Sequence, residues 1–600
     1  MSVASLVRYL IQRNATVFVV LVVYGIVSFL FYRIGWLHSD VVVTSAIFFI
    51  VVLGLDLLFG CVGLLSFGHV GFFAIGAYSV AVFHAQFQMG PFSSAAAGLT
   101  ISAALSYVLG RVCLRLSGSY FMLGTLAFGI MVHAIITVWY TVTGGDGGLG
   151  GIPRPYFGAI ALTSDWSFGI LAWGCTAVLF WLTYSLSRSK VGRAARAIRS
   201  DEVAAACLGV NVARVKMNVF VISAGFASIG GSLFATYNGA VHPDTFSLTT
   251  LLDLLLMMFF GGEGTMWGGL LGTTFMRLLP DITGNLHGAK ILFSGVLFSV
   301  IIFALPRGIA GAINDIIDRL RTSNATTPTL TINDVPFELN RNELSPQTLL
   351  HVDGVSRSFG GVRAVEDVTF AVQQCQIRGL IGPNGAGKST LMNLISGVLS
   401  LNAGNVVFAG ASLEGLSAHQ IARRGLQRTF QHERLFSHLT IVENIMVGAE
   451  RGADGSWREL VACALGLPYT IREEIAARQR SRKWLASLGL SDYADAATGK
   501  VPHGLRKLVE VARACAAGPT LLLLDETVAG LNNAERRSFQ KVIRALRDKG
   551  LTIVIIEHDV EFIMDLCDEI CVLNFGKAIA DGPPAQIRQN PSVREAYLGT

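Results

Sequence analysis

The residues best suited to chemistry form one loop, Gly382-Pro383-Asn384-Gly385-Ala386-Gly387-Lys388-Ser389-Thr390. The loop follows Gln376 to Ile381, an apolar run that predicts a buried strand, and it precedes a predicted helix. Glycines in such a loop let backbone N–H groups wrap a phosphate chain, and the start of a helix favours an anion. Lys388 would hold the β- and γ-phosphates and Ser389 would bind Mg²⁺. The residues expected to contact the nucleotide are Gly382, Asn384, Gly385, Ala386, Gly387, Lys388, Ser389 and Thr390.

Two further apolar runs end in residues that could act on a nucleoside triphosphate. Leu521 to Leu524 predicts a strand that ends at Asp525 and Glu526. Asp525 suits Mg²⁺, through water, and Glu526 suits a general base that activates the attacking water. Leu551 to Ile556 predicts a third strand, followed by His558, which would contact the γ-phosphate. A lone histidine is more often structural, but its place in this ordered set favours the functional interpretation.

The composition predicts a chain that is partly embedded in lipid. Of the 600 residues, 52% are hydrophobic and 15% are charged, whereas a soluble chain is about a quarter charged. Long apolar runs fill residues 15–310, and residues 340–600 have the composition of a soluble α/β protein. The net charge of +6 is modest. No basic stripe is interleaved with aromatic residues, so nucleic-acid binding is not expected.

Apolar runs long enough to cross a membrane recur through the first half of the chain. A spanning helix needs about 20 mostly apolar residues. The segments that meet this requirement are 15–32, 41–59, 61–83, 94–112, 120–142, 166–187, 217–237 and 289–306. One more segment, 246–279, is apolar but is broken by Gly261-Gly262-Glu263-Gly264.

The basic residues give these segments an orientation. Lysine and arginine collect before the first span, after the fourth and after the sixth, which places these three sites in the cytoplasm. The C-terminal half needs ATP and must also be cytoplasmic, so the number of crossings is even. One unbroken span over 246–279 would make nine. We therefore expect two short helices or a re-entrant pair there, and eight to ten crossings in all, with ten favoured.

Several ionisable side chains lie within the predicted spans. Such residues are costly in lipid and often functional. A structural role is nevertheless favoured for each one alone, because some lie near span ends or breaks that water can reach. These residues are Asp56, His69, His133, Asp253 and Glu263.

A short pattern in the basic loop after the sixth span predicts a helix. Asp201 to Gly209 has an acidic start, an alanine-rich centre and a terminal glycine. Alone, this pattern would be a solvated loop. Beside an ATPase in the same chain, it predicts the docking helix through which the ATPase moves the membrane helices.

These features divide the chain into three parts. Residues 1–312 form the predicted membrane domain and residues 349–600 the ATPase domain. Residues 313–348 form the linker, because most of this stretch is rich in Ser, Thr, Asn and Pro and has little periodicity.

The order of motifs over about 350–600 resembles the ATPases of ABC transporters. Phe359 matches the aromatic residue that stacks on adenine, and Gln431 matches the glutamine that senses Mg²⁺ and the membrane partner. Ala529-Gly530-Leu531-Asn532 matches the loop that crosses between paired ATPases. The C-terminal run from Ala580 to Gly599 resembles one subgroup, the ATPases of branched-chain amino acid uptake systems.

The membrane half resembles the permease of the same systems. The resemblance rests on Leu53-Gly54-Leu55, on the run from Ser66 to Tyr78 and on Thr143-Gly144-Gly145 through Pro153. It implies a polytopic α-helical membrane domain of eight to ten helices, followed by an α/β P-loop ATPase domain of ABC type with a helical subdomain. Permease and ATPase are usually separate polypeptides in this family, so the chain resembles a natural fusion.

The family signature, approximately Leu-Ser-Gly-Gly-Gln, is altered here to Val501-Pro502-His503-Gly504-Leu505. The serine hydroxyl is lost, and Pro502 removes an N–H donor. A homodimer would use this altered signature at both ATP sites. We therefore expect a different partner ATPase with a better signature, which gives one strong site and one weak site. Thr527 also stands where proline usually follows the two acids.

The resemblance implies an ATP-driven importer of the bacterial inner membrane with a cytoplasmic ATPase domain. It implies ATP and Mg²⁺ as cofactors, and Ser389, Gln431 and Asp525 as the metal-site residues. The implied partners are a second permease, a second ATPase and a periplasmic substrate-binding protein. Branched-chain amino acids, or related amino acids, amides or urea, are the implied substrates. The alternatives are an ABC exporter half-transporter, against which eight or more spans argue, and a membrane-tethered ATPase that does not transport.

Overall fold

The computed structural model describes residues 3–35, 38–116, 118–157, 160–283, 295–296, 299–300, 303, 307–321, 335–337, 348–431, 433–450 and 453–598. The chain forms two compact units. The membrane unit consists of Met1–Ala195, Ala213–Asn324 and Gly455–Thr470. The ATPase unit consists of Arg196–Val212, Ala325–Asp454 and Ile471–Thr600. Each unit therefore contains one short segment whose sequence neighbours belong to the other.

Seven helices of the membrane unit are long and apolar enough to cross a bilayer among the described residues. Because apolar residues surround most of their circumference, these helices suit lipid and each other rather than water. They are α1 (Val3–Ile34), α2 (Ser39–Asp56, continued by a π-helical turn over Leu57–Val62), α3 (His69–Phe87), α4 (Pro91–Cys113), α5 (Ser119–Val138), α7 (Asp165–Ser187) and α10 (Val212–Asn238). The predicted fold class, a helical membrane domain before an ATPase fold, is confirmed.

Short elements complete the membrane unit. They are α6 (Tyr140–Thr143), β1 (Leu149–Gly150), β2 (Tyr156–Phe157), β3 (Ile160–Ala161), α8 (Lys190–Ser200, shared with the ATPase unit), β4 (Ala240–Val241), α11 (Leu248–Gly261), α12 (Gly268–Thr283), α13 (Gly308–Arg321) and α17 (Trp457–Leu465). β1 pairs with β4 in antiparallel fashion.

The apolar segment 246–279 is interrupted as predicted. It folds into α11 and α12, with the break at Gly262, whose φ of 111° is open chiefly to glycine. The loop between the two helices is bound by Asp56 of α2, whose carboxylate accepts from the Gly264 N–H at 2.6 Å and the Met266 N–H at 3.0 Å. Asp56 is buried, so its charge is matched by backbone donors of the loop.

Two predicted spans differ from the structure or lie outside it. The segment 61–83 was expected as one helix, but α3 begins only at His69. Gly63, with a φ of 81°, ends the π-helical turn, and the chain runs without regular structure to the start of α3. The predicted span 289–306 lies almost entirely outside the described residues, as do residues 322–334 and 338–347 of the predicted linker.

Two histidines of the predicted spans occupy different environments. His69 is fully buried at the start of α3, and its Nε2 lies 2.5 Å from the Ser223 hydroxyl of α10. His133 on α5 lines a mainly apolar cleft with residues of α11. The contact of His69 is a structural one between two spans, in agreement with the interpretation favoured from the sequence.

The ATPase unit is built on two sheets. The six-stranded sheet has the order β10–β11–β12–β7–β13–β14, and all its pairings are parallel except that of β14 with β13. The four-stranded antiparallel sheet has the order β6–β5–β8–β9. The strands are β5 (Thr348–Phe359), β6 (Val362–Gln373), β7 (Ile377–Ile381), β8 (Ala403–Phe408), β9 (Ala411–Ser412), β10 (Leu426–Arg428), β11 (Leu521–Asp525), β12 (Thr552–Ile556), β13 (Glu569–Asn574) and β14 (Lys577–Gly582).

Helices cover the six-stranded sheet, and β7, β11 and β12 are buried at every residue, as continuous apolar strands of a parallel sheet must be. The helices are α9 (Glu202–Cys207), α14 (Lys388–Ile395), α15 (Ala418–Arg423), α16 (Ile441–Ala449), α18 (Pro468–Ser487), α19 (His503–Ala516), α20 (Asn533–Asp548), α21 (Val560–Leu566), α22 (Pro584–Gln589) and α23 (Pro591–Leu598).

The predicted short helix after the sixth span is present as α9. The Asp201 carboxylate caps its first turn by accepting from the Ala204 N–H at 2.8 Å. Gly209, with a φ of 87°, follows its last residue. Because the segment Arg196–Val212 belongs to the ATPase unit, the sequence of the membrane half contributes this helix to the packing of the ATPase.

Replacing Asp56 by alanine should destabilise the membrane unit. The change removes the acceptor of two backbone N–H groups, and each unsatisfied group costs on the order of 1–3 kcal/mol. We expect a lower thermal unfolding temperature for the detergent-solubilised chain. Asp56→Asn keeps one carbonyl acceptor and should lose less. Equal unfolding temperatures for Asp56→Ala and the unchanged chain would contradict this role.

Candidate active site

The register of the parallel sheet brings the predicted catalytic segments to one edge. Asp525 at the end of β11 pairs with Ile556 at the end of β12, and Ile556 pairs with Leu380 of β7. The chain therefore leaves all three strands at the same level. Ligand sites in such sheets form at the carboxyl ends of the strands.

The loop after β7 has a backbone that two of its glycines make possible. A Cβ at Gly382 would lie 2.1 Å from the Leu573 carbonyl oxygen, and one at Gly387 would lie 2.3 Å from that of Ala364. Gly387 has a φ of 96° and directly precedes α14. The loop thus closes tightly against β6 and β13 and delivers the chain to the start of a helix, where N–H groups can bind phosphate.

Lys388 is buried at the first turn of α14. Its ammonium group donates to the carbonyl oxygens of Gly382 and Pro383 at 2.7 and 2.9 Å. Burial lowers the pKa of Lys388, and the carboxylates of Glu526 and Asp525 oppose that shift. The lysine therefore lies in the same electrostatic site as the two acids.

Asp525 is 2% exposed and has one carboxylate oxygen in an ion pair. Its Oδ2 accepts from the Arg428 guanidinium at 2.8 Å, and that guanidinium also donates to Asn393 of α14 and to Ser396, the residue after α14. The other oxygen, Oδ1, is buried and has no hydrogen-bond partner among the described residues. This orphaned oxygen is available to a cation or to a water bound to one.

Glu526 is the meeting point of two other predicted site residues. The Gln431 side-chain amide donates to Glu526 Oε2 at 2.8 Å, and His558 Nε2 lies 2.6 Å from Glu526 Oε1. Glu526 has a φ of 47°, which is unusual for a residue with a side chain. Strained backbone of this kind is common at functional sites. The structure therefore brings together Gln431, Glu526 and His558.

Glu557 was not predicted as a site residue. It directly follows Ile556, which contacts the backbone of Glu526. The Glu526 N–H donates to the Ile556 carbonyl oxygen at 2.9 Å. The buried Glu557 carboxylate accepts from the Val528 N–H at 2.7 Å and from the Thr527 hydroxyl at 3.4 Å. Burial raises the pKa of Glu557 to about 7, helped by Glu526 and opposed by the Val528 N–H. Its position in Glu557-His558-Asp559 was the only signal in the sequence.

Phe359 lies apart from these residues, at the end of β5. Its ring is 45% exposed, and the Arg357 guanidinium stacks 5.1 Å from its centre. β5 pairs with β6, and β6 contains Ala364, whose carbonyl oxygen faces Gly387. An exposed aromatic ring on this hairpin is suited to stack on a planar base.

The altered signature forms the start of α19, after Pro502. His503 is 58% exposed along its side chain and lies 3.0 Å from the Glu433 carboxylate, which Arg506 also contacts at 3.1 Å. Leu505 is buried in the core of the unit. Leu505, at the glutamine position, is therefore part of the core, whereas Pro502 and His503 are exposed.

The segment around Gln431 is held by the same helix. The Phe430 N–H lies 3.4 Å from a Glu510 carboxylate oxygen, and Lys507 Nζ lies 3.4 Å from the Gln431 carbonyl oxygen. The Arg513 guanidinium donates to the Arg434 carbonyl oxygen at 2.8 Å. One face of α19 thus fixes the backbone that presents Gln431 to Glu526.

The other side of this segment binds the predicted docking helix. The Arg434 guanidinium lies 3.1 and 2.8 Å from the two oxygens of Asp201, the residue that caps α9, and it stacks 4.5 Å from the Phe430 ring. Arg423 donates to the Gly209 carbonyl oxygen at 3.0 Å. A continuous set of contacts therefore runs from α9 through Arg434 to Gln431 and Glu526.

Comparison with known proteins agrees with this arrangement. A family model described as the permease component of branched-chain amino acid transport systems matches residues 37–305. An ABC transporter model matches residues 365–529, and one described as a branched-chain amino acid ATP-binding cassette transporter matches 579–600. The chain is 38% identical over 252 residues to the high-affinity branched-chain amino acid transport ATP-binding protein BraF of Pseudomonas aeruginosa, covering 42% of this chain and 98% of BraF.

The chain belongs to the branched-chain amino acid family of ABC transporters. It carries the permease part and the ATP-binding part of that family in one polypeptide, and its ATPase unit binds ATP and couples ATP hydrolysis to transport. The LivG protein of Escherichia coli K12 is 39% identical over 254 residues, covering 42% of this chain and 98% of LivG. A solved nucleotide-free ATP-binding cassette from an ABC transporter has 28% identity and a TM-score of 0.37, covering 42% of this chain and all of that chain.

The raised pKa of Glu557 predicts a pH-dependent stability of the transporter. Its carboxyl group ordinarily titrates near 4.5, and in the folded unit near 7. Between these values the folded state binds more protons than the unfolded state. The stabilisation that protonated Glu557 contributes is therefore fully present below about pH 4.5 and is lost as the pH rises through about 7. Glu557→Gln removes this decline. The unfolding temperature of the variant minus that of the unchanged chain should therefore increase from about pH 5 to about pH 8.

Thermal unfolding of the two chains across this pH range measures the effect. Glu561→Gln removes the same charge at an exposed position of α21 and serves as the matched control. A constant difference between Glu557→Gln and the unchanged chain would show that Glu557 does not titrate in this range.

Proposed function

We propose that this transporter imports branched-chain amino acids, or related amino acids, amides or urea, across the bacterial inner membrane, with its ATPase unit in the cytoplasm. The observation that carries the proposal is the chain of contacts from Glu526 to α9. The proposal is also supported by the family model of the permease component, which matches residues 37–305.

ATP binding uses the loop from Gly382 to Thr390, with Phe359 stacked on adenine. Glu526 accepts a proton from the attacking water, and His558 contacts the γ-phosphate. Gln431 positions Glu526 and reports its state to α9. The roles of Glu526, His558 and Gln431 are supported by the distances around Glu526, and that of the phosphate loop by the common level at which β7, β11 and β12 end. The role of Phe359 is supported by its exposure at the end of β5.

The residues present fit Mg²⁺. Ser389 offers a hydroxyl, Gln431 an amide oxygen and Asp525 the orphaned Oδ1, all of them the oxygen ligands that this ion prefers. When bound, Mg²⁺ supplies positive charge against the phosphates. Arg428 fixes the orientation of the Asp525 carboxylate for this purpose, because its guanidinium binds the opposite carboxylate oxygen.

Coupling passes through α9. A displacement of the Gln431 segment on binding or hydrolysis moves Arg434, and Arg434 carries Asp201 with it. One nitrogen of the Arg434 guanidinium donates to both carboxylate oxygens of Asp201, so the ion pair is also hydrogen-bonded. The membrane helices then alternate access to the two sides.

The partners are a second permease, a second ATPase and a periplasmic substrate-binding protein. A different ATPase is proposed because Pro502 stands in place of the signature serine and so removes both its hydroxyl and its backbone N–H donor. The chain alone should hydrolyse ATP slowly, and addition of the partner ATPase should raise the rate. Dimers of the purified chain alone with full activity would contradict this proposal.

Glu526→Gln tests the proposed function directly. Glutamine keeps the contact with Gln431 but cannot accept the proton, so ATP binding should remain while hydrolysis falls by about two to four orders of magnitude. Uptake of radiolabelled leucine should be lost together with hydrolysis. Retained uptake at the level of the unchanged transporter would refute ATP-driven import.

Reversing the charges of the Asp201–Arg434 pair tests the coupling. Asp201→Arg and Arg434→Asp each place like charges in contact, so uptake should fall severalfold while ATP binding persists. The double variant Asp201→Arg/Arg434→Asp should recover part of the uptake. Arg537→Asp, on an exposed residue of α20, is the control for a charge change alone. Failure of the double variant to recover uptake, with normal folding, would contradict the pair's role.

A further inference from the structure

One helix of the ATPase half packs as part of the membrane unit. The segment Gly455–Thr470, which contains α17, belongs to that unit although both its neighbours in sequence belong to the ATPase unit. The packing of this segment is therefore set by the spanning helices. Neither ATP binding nor docking through α9 accounts for its position in the membrane unit.

Three polar contacts fix α17 to the ends of two spans. Asn218 of α10 donates its side-chain amide to the Gly455 carbonyl oxygen at 2.6 Å. The Ser185 hydroxyl of α7 donates to the Cys463 carbonyl oxygen at 3.2 Å. Lys190, just after α7, lies 2.8 Å from the Glu459 carboxylate.

These contacts define the depth at which α17 lies. Ser185 is in the last turn of α7, which ends at Ser187, and Asn218 is in the second turn of α10, which begins at Val212. The helix is thus held at the end of one membrane-spanning helix and at the start of another. The ends of spanning helices are the parts that approach the interface between hydrocarbon and water.

The two faces of α17 differ in what they contact. Leu460, Ala462 and Cys463 are buried against the unit. Trp457, Val461 and Leu465, spaced four residues apart, form an exposed apolar stripe, with 48%, 52% and 45% of their surfaces accessible. Tyr469, shortly after the helix, is 51% exposed. The stripe therefore has large apolar side chains and an aromatic residue near each end.

We propose that α17 is an interfacial helix whose Trp457–Val461–Leu465 stripe inserts into the lipid headgroup region of the bilayer. A helix that lies in this plane buries its exposed apolar side chains among the headgroups, and Trp and Tyr prefer that depth. Arg458, exposed beside Trp457, is placed to bind anionic headgroups. The partner is the lipid surface, and the helix anchors part of the ATPase sequence to it.

A lipid partner fits better than a protein partner because of what surrounds the stripe. The span that α17 contacts, α7, itself exposes Ile170 and Val178, at 76% and 56%, as a lipid-facing helix does. The stripe stands beside that surface at its end. A protein subunit on the stripe is the competing outcome, and the experiment separates the two.

A nitroxide at position 461 tests the proposal in the full-length chain. Val461→Cys is labelled in a background in which the half-buried Cys175 and Cys375 are replaced by serine. The chain is reconstituted in liposomes of phosphatidylethanolamine and phosphatidylglycerol, and collisions with oxygen and with a water-soluble nickel complex are measured. Val178→Cys on α7 is the lipid control, and Lys541→Cys on an exposed site of α20 is the water control.

We expect the label at 461 to resemble that at 178, with frequent oxygen collisions and severalfold fewer nickel collisions than at 541. Equal nickel collision rates at 461 and 541 would overturn the proposal. So would protection from both reagents, which would reveal a protein partner. Retained ATP binding shows that the labelled chain is folded, and Leu465→Cys provides a second position. Because transport is not measured, the result is independent of the proposed import.

Discussion

The ion pair between Asp201 and Arg434 is the contact on which the proposed coupling of this transporter depends. Asp201 caps a helix that comes from the sequence of the membrane half, and Arg434 lies three residues after Gln431, whose side chain donates to Glu526. Arg434 thus connects the segment of Gln431 with α9, the helix proposed to move the spans. Its guanidinium also stacks on the Phe430 ring of the same segment.

The active site itself depends on the register of a parallel sheet. Because β7, β11 and β12 end at one level, the phosphate loop, the two acids and His558 face one space without any long connection. The backbone that follows the unusual conformation of Glu526 is held by Glu557, which accepts from the Val528 N–H. Thr527, where proline is usual in the family, adds its hydroxyl to the same contact.

Much of this arrangement was predictable from local sequence. The phosphate loop, the apolar strands that end in acids, the capped helix after Asp201 and the break at Gly262 all have strong short-range signals. The contacts of Asp56 with a loop more than 200 residues away, and of Asp525 with Arg428, have none, because pairing across distant segments leaves no periodicity. The placement of α17 was missed for the same reason, since its apolar stripe resembles that of any amphipathic helix.

The late start of α3 shows a second limit. Residues 61–83 are apolar enough for one span, yet Gly63 ends the preceding helix and the chain turns before His69. Hydropathy reports which residues suit lipid but not where a helix begins. The altered signature likewise could be seen in the sequence, but only the structure shows that Leu505 is buried and that His503 is exposed.

Binding couplings are reciprocal, so a membrane unit that is moved by ATP must in turn act on the ATPase. The most direct test is the rate of ATP hydrolysis by the assembled transporter in liposomes, with and without leucine-loaded binding protein. The account predicts that loaded binding protein stimulates the unchanged transporter severalfold and leaves Arg434→Ala near its basal rate. Equal stimulation of both would show that the signal between the two units does not pass through Arg434.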